Sequence, residues 1–393
     1  MADPSVNPKN VLIKNENTDL PPELPKPPEK VFALQVNAWG TLQDFIANAL
    51  QLPILQSDFE ERYGTFEDEA LVEKGIELLK GLKDAADAFG NVVTESQDIM
   101  KYIGTDTPPE SLFAHGVWLA SKIESTAMTV SNYAASAIPA LEKETDPQKR
   151  AEDIKELLTY PGAGMYSYAI DLNGKCNDYN GLLSTYVENT FKPASDAFHT
   201  YFTTQENTIL TDAQNIVDSE LSRINELTLK VASLKSKLYG WSIGGSVGCV
   251  VASGLPPLFI FGSAILLGFE IEECIRIQKE IDKDNDEIKK LKADELKKAA
   301  LVTDLTTLIN SSQNVDDAAK AFLQAVVEMA EGFGLCATDM KTISDLVEPK
   351  KVADLPPFLQ NTGLETAEKD WKEIQLAANN FINSGQYKYE TAS

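Results

Sequence analysis

Residues Trp241 to Phe269 read WSIGGSVGCVVASGLPPLFIFGSAILLGF, without one charged side chain, in a chain of 393 residues whose formal net charge is -25. Charged, heptad-like sequence flanks this run on both sides, for roughly thirty-five residues before it and roughly forty after it. The pattern predicts two long helices carrying an apolar tip.

Inside the tip, Leu255, Pro256 and Pro257 interrupt the run, because proline lacks a backbone donor and disfavours helix in the residue before it. Two arms of about a dozen residues result. As a helix each would reach about 18 Å, short of the ~30 Å hydrocarbon core of a bilayer. The sequence therefore fits a hairpin that hides in soluble protein and then lengthens or inserts as a group, rather than a ready-made two-span anchor. The side chains expected to enter lipid are Trp241, Ile243, Val247, Val250 and Val251 in the first arm. Those of the corner and second arm are Leu255, Leu258, Phe259, Ile260, Phe261, Ile265, Leu266, Leu267 and Phe269.

Gly240, Gly244, Gly248 and Ala252 form a small-residue ridge at spacing four, the pattern that lets helices approach closely in lipid. Ala264 and Gly268 continue it weakly. The same glycines would also permit close packing in an ordinary core, but a core hairpin is seldom flanked on both sides by such polar stalks. The two G-x-S-x-G matches, at Gly240 to Gly244 and Gly244 to Gly248, lack the preceding strand and the later histidine that a nucleophile elbow needs. Both histidines, His115 and His199, lie upstream, so no hydrolase is expected.

Sixty acidic against thirty-five basic side chains argue against a nucleic-acid binder. They also leave membrane contact to the apolar tip or to a receptor, since anionic lipid would repel such a surface. Cys176, Cys249, Cys274 and Cys336 are scattered without metal-ligand spacing and read as free thiols; no metal and no cofactor is expected. The opening MADPSVNPKN is polar and does not read as a signal peptide, which predicts synthesis in a cytoplasm and release by lysis or another route.

Along the chain, residues 1 to about 30 end in a proline-rich stretch that favours extended conformation and predicts a flexible arm. Helical periodicity then places Trp39, Leu42, Phe45, Ile46, Ala49 and Leu50 on one face before Pro53. A second helix is expected from Leu71 to Ile99, a third from Leu112 to Leu141, and a fourth, weakened by glycines, from about Ala163 to Phe191. The stalks follow, Ile209 to Leu238 before the tip and Ile271 to Ile309 after it, with Lys289, Lys290, Lys297 and Lys298 read as solvated surface. Further helices are expected from about Val315 to Leu346 and from Leu364, the last burying Trp371, Ile374, Ala378, Phe381 and Ile382. The fold class is all-α, an elongated antiparallel five-helix bundle with a coiled-coil stalk and an apolar hairpin tip. In domain terms, 1–30 is the arm, 31–202 with 313–393 the helical bundle, and 203–312 the stalk carrying the hairpin 241–269.

Three places in this pattern resemble the helical pore-forming toxins of the cytolysin A superfamily, especially the alpha-xenorhabdolysin A-type subunits and related helical crystal toxins. Leu42-Gln-Asp-Phe-Ile46 followed by Ala49-Leu-Gln-Leu-Pro53 resembles their opening helix ending in L-x-L-P. Coiled coil, Gly-rich apolar hairpin and coiled coil follow in the family's order. Trp371, Ala377 and Phe381 resemble the closing helix. The Pro256-Pro257 corner and the long proline-rich arm depart from the family's pattern. The resemblance implies a non-enzymatic toxin subunit, soluble until its tip enters a target-cell lipid membrane. It also implies a homo-oligomeric ring and a second, B-type protein that completes the pore. The other function classes open at this stage are a resident membrane-hairpin protein and a soluble coiled-coil scaffold.

Overall fold

The computed structural model describes residues 8–14, 31–34, 37–206, 208–220, 226, 229–231, 233, 279–280, 283–284 and 293–384. Helix α1 (Lys9–Leu12) leads into a two-residue strand β1 (Ile13–Lys14), which pairs antiparallel with β2 (Val31–Phe32). Everything else of regular structure among the described residues is helical. The expected all-α bundle is what forms.

Helix α2 (Asn37–Ala49) is followed by α3 (Gln56–Tyr63) and α4 (Glu69–Phe89). The Asp68 carboxylate caps α4 by accepting from the Ala70 and Leu71 amides, which satisfies donors that the first turn leaves unpaired. The single helix expected from 71 to 99 is broken. Gly90 takes φ +122°, and Asn91 restarts the chain as α5 (Val92–Gln97), its side chain accepting from Thr94 while Glu95 accepts from the Asn91 amide.

Helix α6 (Leu112–Lys143) continues through Pro139. After α7 (Pro147–Thr159) come α8 (Met165–Tyr186) and α9 (Lys192–Thr204), joined by a π turn over Val187–Phe191. The wide turn sits just before Pro193, where the helical ladder loses a donor, and it lets the rod pass the proline without ending. Helix α10 (Ile209–Glu220) begins the first stalk.

Helix α11 (Ala293–Leu346) has 54 residues and is therefore about 80 Å long. A compact chain of this size has a radius of gyration of about 21 Å, so this helix alone makes the molecule elongated. Residues 293–309 of the expected second stalk and the helix expected to begin near Val315 are one continuous element, and the boundary drawn between 312 and 313 falls inside it. Short α12 (Pro349–Val352) and α13 (Leu355–Asn361) begin at the prolines expected to break the pattern, and α14 (Leu364–Ser384) closes the described chain.

Five helical runs exceed twenty residues among the described residues: α4, α6, α8 with α9, α11 and α14. They pack antiparallel. On α6 and α14, Ser131 donates to the Glu368 carbonyl while Asn379 lies against Glu124. On α8, α9 and α11, Asn173 donates to the Ala330 carbonyl while Lys192 pairs with Asp316.

Short α2 is inserted among these rods and ties them together through Trp39. Its indole stacks on Phe322 of α11 at 4.8 Å and on Phe113 of α6 at 5.5 Å, with Phe89 of α4 and Phe381 of α14 at 6.0 and 5.9 Å. One buried aromatic thus touches four helices, and such contacts add to the area it buries.

The expectation of a flexible arm over residues 1–30 fails for residues 8–14. Leu12 is fully buried, the Ala33 amide donates to its carbonyl at 2.8 Å, and Val11 lies over Gly332 so closely that a Cβ there would meet it at 2.8 Å. Lys9 pairs with Asp370 at 2.9 Å and Glu373 at 2.7 Å on α14, and these bonds, Glu373 first, raise its pKa. A few apolar contacts in the right places suffice to pin an otherwise polar segment.

Candidate functional site

The apolar residues expected to enter lipid, from Trp241 to Phe269, and the ridge of Gly240, Gly244, Gly248 and Ala252 lie outside the described residues. So do Cys249 and Cys274 and both serines of the G-x-S-x-G matches. What the structure places is the root from which that segment departs.

Two pieces form the root. The first is an ion-pair clamp between the stalks: Lys230 Nζ lies 2.9 Å from Glu280 and 2.8 Å from Asp284. Hydrogen bonds to Asp284 and then Glu280 raise the lysine's pKa, so the lysine stays charged at neutral pH. The clamp joins residues that precede the apolar segment to residues that follow it.

The second piece holds the N-terminal part of α11 against the segment Arg62 to Phe66, which comprises the last two residues of α3 and the start of the loop to α4. Lys298 Nζ donates to the Tyr63 carbonyl at 3.2 Å and to the Thr65 carbonyl, and it sits 3.3 Å from the centroid of the Phe66 ring. The Tyr63 hydroxyl donates to Asp304 Oδ2 at 3.1 Å, and the Arg62 guanidinium lies 3.8 Å from the same oxygen. Burial, and then the Asp304 charge, push the phenol well above its ordinary pKa, which keeps it a donor. Gly64 turns the loop at φ +76°, where a Cβ would lie 3.6 Å from that of Lys297.

Lys298 is 6% exposed and Asp304 likewise. The reading of Lys298 as solvated surface is therefore corrected. A heptad pattern marks which face of a helix is apolar but does not show when a distant loop will cover the polar one. Nothing local in sequence marks this contact, since the partners lie more than 230 positions away.

Groups that could suggest catalysis are core elements. His115 on α6 is buried, stacked on Tyr179 at 5.0 Å and edge-on to Trp118 at 5.2 Å, and burial lowers its pKa. Cys176 and Cys336 are free and buried, and burial raises both thiols, which leaves them inert as nucleophiles. Among the described residues no group of three potential ligands could hold a metal ion, and no helix is long and apolar enough to cross a membrane.

No family model and no curated protein matches the chain. Solved structures do. Soluble SmhA, of the tripartite alpha-pore-forming toxin Smh from Serratia marcescens, matches with a TM-score of 0.55 at 13% identity, over 91% of this chain and 95% of SmhA. The Bacillus cereus HblL1 toxin component matches with a TM-score of 0.53 at 15% identity, over 91% of this chain and 96% of HblL1. Soluble SmhB of the same Serratia toxin gives 0.51 at 9% identity, over 90% of each chain. At such identities the likeness speaks for the fold: the chain is built on the helical scaffold of soluble Smh components and of HblL1.

Proposed function

We propose that the protein is a pore-forming toxin subunit, a soluble protein that inserts residues 241–269 into a target-cell membrane and assembles there into a ring. Its partners are then the lipid bilayer, further copies of itself and a second, B-type component. It acts after release from the cell that makes it. Permeabilisation of this kind needs no catalytic group.

The observation that carries the reading is the scaffold shared over nine-tenths of the chain with soluble SmhA, a component of a toxin described as tripartite and pore-forming. The root of the stalk supports it. The positions midway along the chain between Lys230 and its partners Glu280 and Asp284 are 255 and 257. A helical hairpin rooted on that clamp turns at Leu255 to Pro257, where the prolines predict the corner. Such a tip brings its uncharged side chains to the far end of the rod.

The energetics suffice. Apolar burial contributes ~25 cal/mol per Å², so several hundred Å² meeting lipid yields on the order of 10 kcal/mol before ordering costs are subtracted. That traps a soluble monomer on a bilayer.

The test is release of a trapped dye from mixed-lipid liposomes, with the chain alone and with a candidate second component, followed by electron microscopy. Dye release with rings on the membrane is the expected result. A chain that extracts only with detergent points to a resident membrane hairpin, and one indifferent to lipid at every concentration to a scaffold.

A further inference from the structure

The contacts of Arg62 to Phe66 with α11 lie where the long helix leaves the bundle for the stalk, and they are of a different kind from those below. We infer that segment 62–66 is a latch: it holds the root of the stalk against the bundle in the soluble form and opens when the apolar segment moves to a bilayer. This inference rests on the pore-forming reading above.

Three features support it. The joint buries charge, with Lys298 and Asp304 taken from water and both bonded to one short segment. A permanent joint is made as well or better from apolar side chains, because buried ion pairs recover little beyond their desolvation cost. Once released, these two groups regain their hydration, so opening here costs less than separating an apolar seam of equal size.

Among the described residues, the hydroxyls beside them donate within their own helix. Thr303 donates to the Ala299 carbonyl, Thr307 to Thr303, Ser311 to Leu308 and Ser312 to Ile309, all within α11. The helix therefore carries these hydrogen bonds with it when it moves. Farther along, the polar contacts cross between elements, as when Asn173 of α8 donates to the Ala330 carbonyl and Thr159 of α7 bonds Ser344.

Finally, the loop backbone is fitted to the helix. Gly64 sits at φ +76° with its Cα face against Lys297 and Lys298, a conformation that side chains rarely adopt. The same closeness permits a covalent lock, since the 3.6 Å separation of the two Cβ positions falls within the range of roughly 3.5–4.5 Å for disulfides.

Two measurements on the full chain test the latch. Without lipid, Lys298→Met and Tyr63→Phe should speed amide hydrogen exchange in residues 297–304 by roughly tenfold to a hundredfold, the loss expected for hydrogen bonds to charged groups. Exchange in residues 322–343 should not change. On phosphatidylcholine–cholesterol vesicles, the Gly64→Cys, Lys297→Cys double variant should lose at least about tenfold in dye-release rate when oxidised and recover it on reduction. Each single variant controls for strain at Gly64. Unchanged exchange in 297–304, or an oxidised lock that releases dye like its reduced form, overturns the latch. A parent chain that releases no dye, either alone or with the second component, overturns the pore-forming reading, and the insertion role of the latch with it, whatever the exchange result.

Discussion

Between Val315 and Ile343, α11 buries Val315, Phe322, Val326, Met329, Phe333, Met340 and Ile343. Between Lys298 and Ser312 the same helix buries Lys298, Thr303, Asp304, Thr307, Ser311 and Ser312 beside Leu301, Val302, Leu305 and Leu308. The first stretch is an ordinary bundle core, held by area removed from water. The second mixes apolar side chains with polar ones that bond within the helix or to the Arg62 to Phe66 segment. One continuous rod can thus be fixed at one end and releasable at the other, without any break in its backbone ladder.

Helix α2 runs from one zone towards the other. Trp39 stacks on Phe322, and Phe45 packs edge-on against Phe191, next to Lys192, which reaches Asp316. Its later residues Asp44 and Asn48 are buried polar groups.

The comparison predicts unequal responses to substitution. Phe322→Ala removes the ring on which Trp39 and Tyr179 pack and should lower unfolding free energy by about 3–5 kcal/mol, measured by chemical denaturation. A loss below about 1 kcal/mol would mean that the bundle half is not the anchor.

Asp44→Asn should act in the opposite sense. Burial raises the carboxyl pKa from 3.8 to about 8, so the folded state holds a proton that the unfolded state has released across that window. With the folded pKa raised, this group's contribution is fully present below the unfolded pKa and is lost as pH rises towards 8. The parent should therefore lose stability between about pH 4 and pH 8 through this group. The asparagine variant should lose less and be more stable by several kcal/mol at pH 8. Parallel melting curves for parent and variant across that range would contradict the assignment.

The smallest effect is expected at Thr307→Val, deep in the polar zone. Its hydroxyl bonds only its own helix in the contacts described, to Thr303, so the exchange should change stability by less than about 1 kcal/mol. A loss of several kcal/mol would show that the hydroxyls join helices after all, and the contrast between the halves would collapse.

Much of the bundle was legible because periodicity reports local burial. Trp39, Leu42 and Phe45 on α2, and Trp371, Ile374, Ala378 and Phe381 on α14, are buried as their spacing requires. The junction in α11 was not. Asn310, Gln313 and Asn314 dilute the apolar pattern there and suggest a break, while the backbone, with no glycine or proline to stop it, continues. The strap at residues 8–14 escaped notice because Leu12 and Val11 are too few to show a period. Lys298 and Asp304 escaped because what makes them special is a loop distant in sequence. The apolar segment itself was legible by composition alone, and its side chains lie beyond the described residues.

The central claim is that this segment enters lipid, and a charge placed in it tests the claim most directly. A charge near the bilayer centre costs at least about 2.5–3.5 kcal/mol by insertion scales, and a ring multiplies that cost over its subunits. Val251→Asp, with Ile265→Lys as an independent second variant, should keep the helix content and melting temperature of the parent while dye release from liposomes falls sharply. Folded variants that permeabilise liposomes as fast as the parent would contradict it.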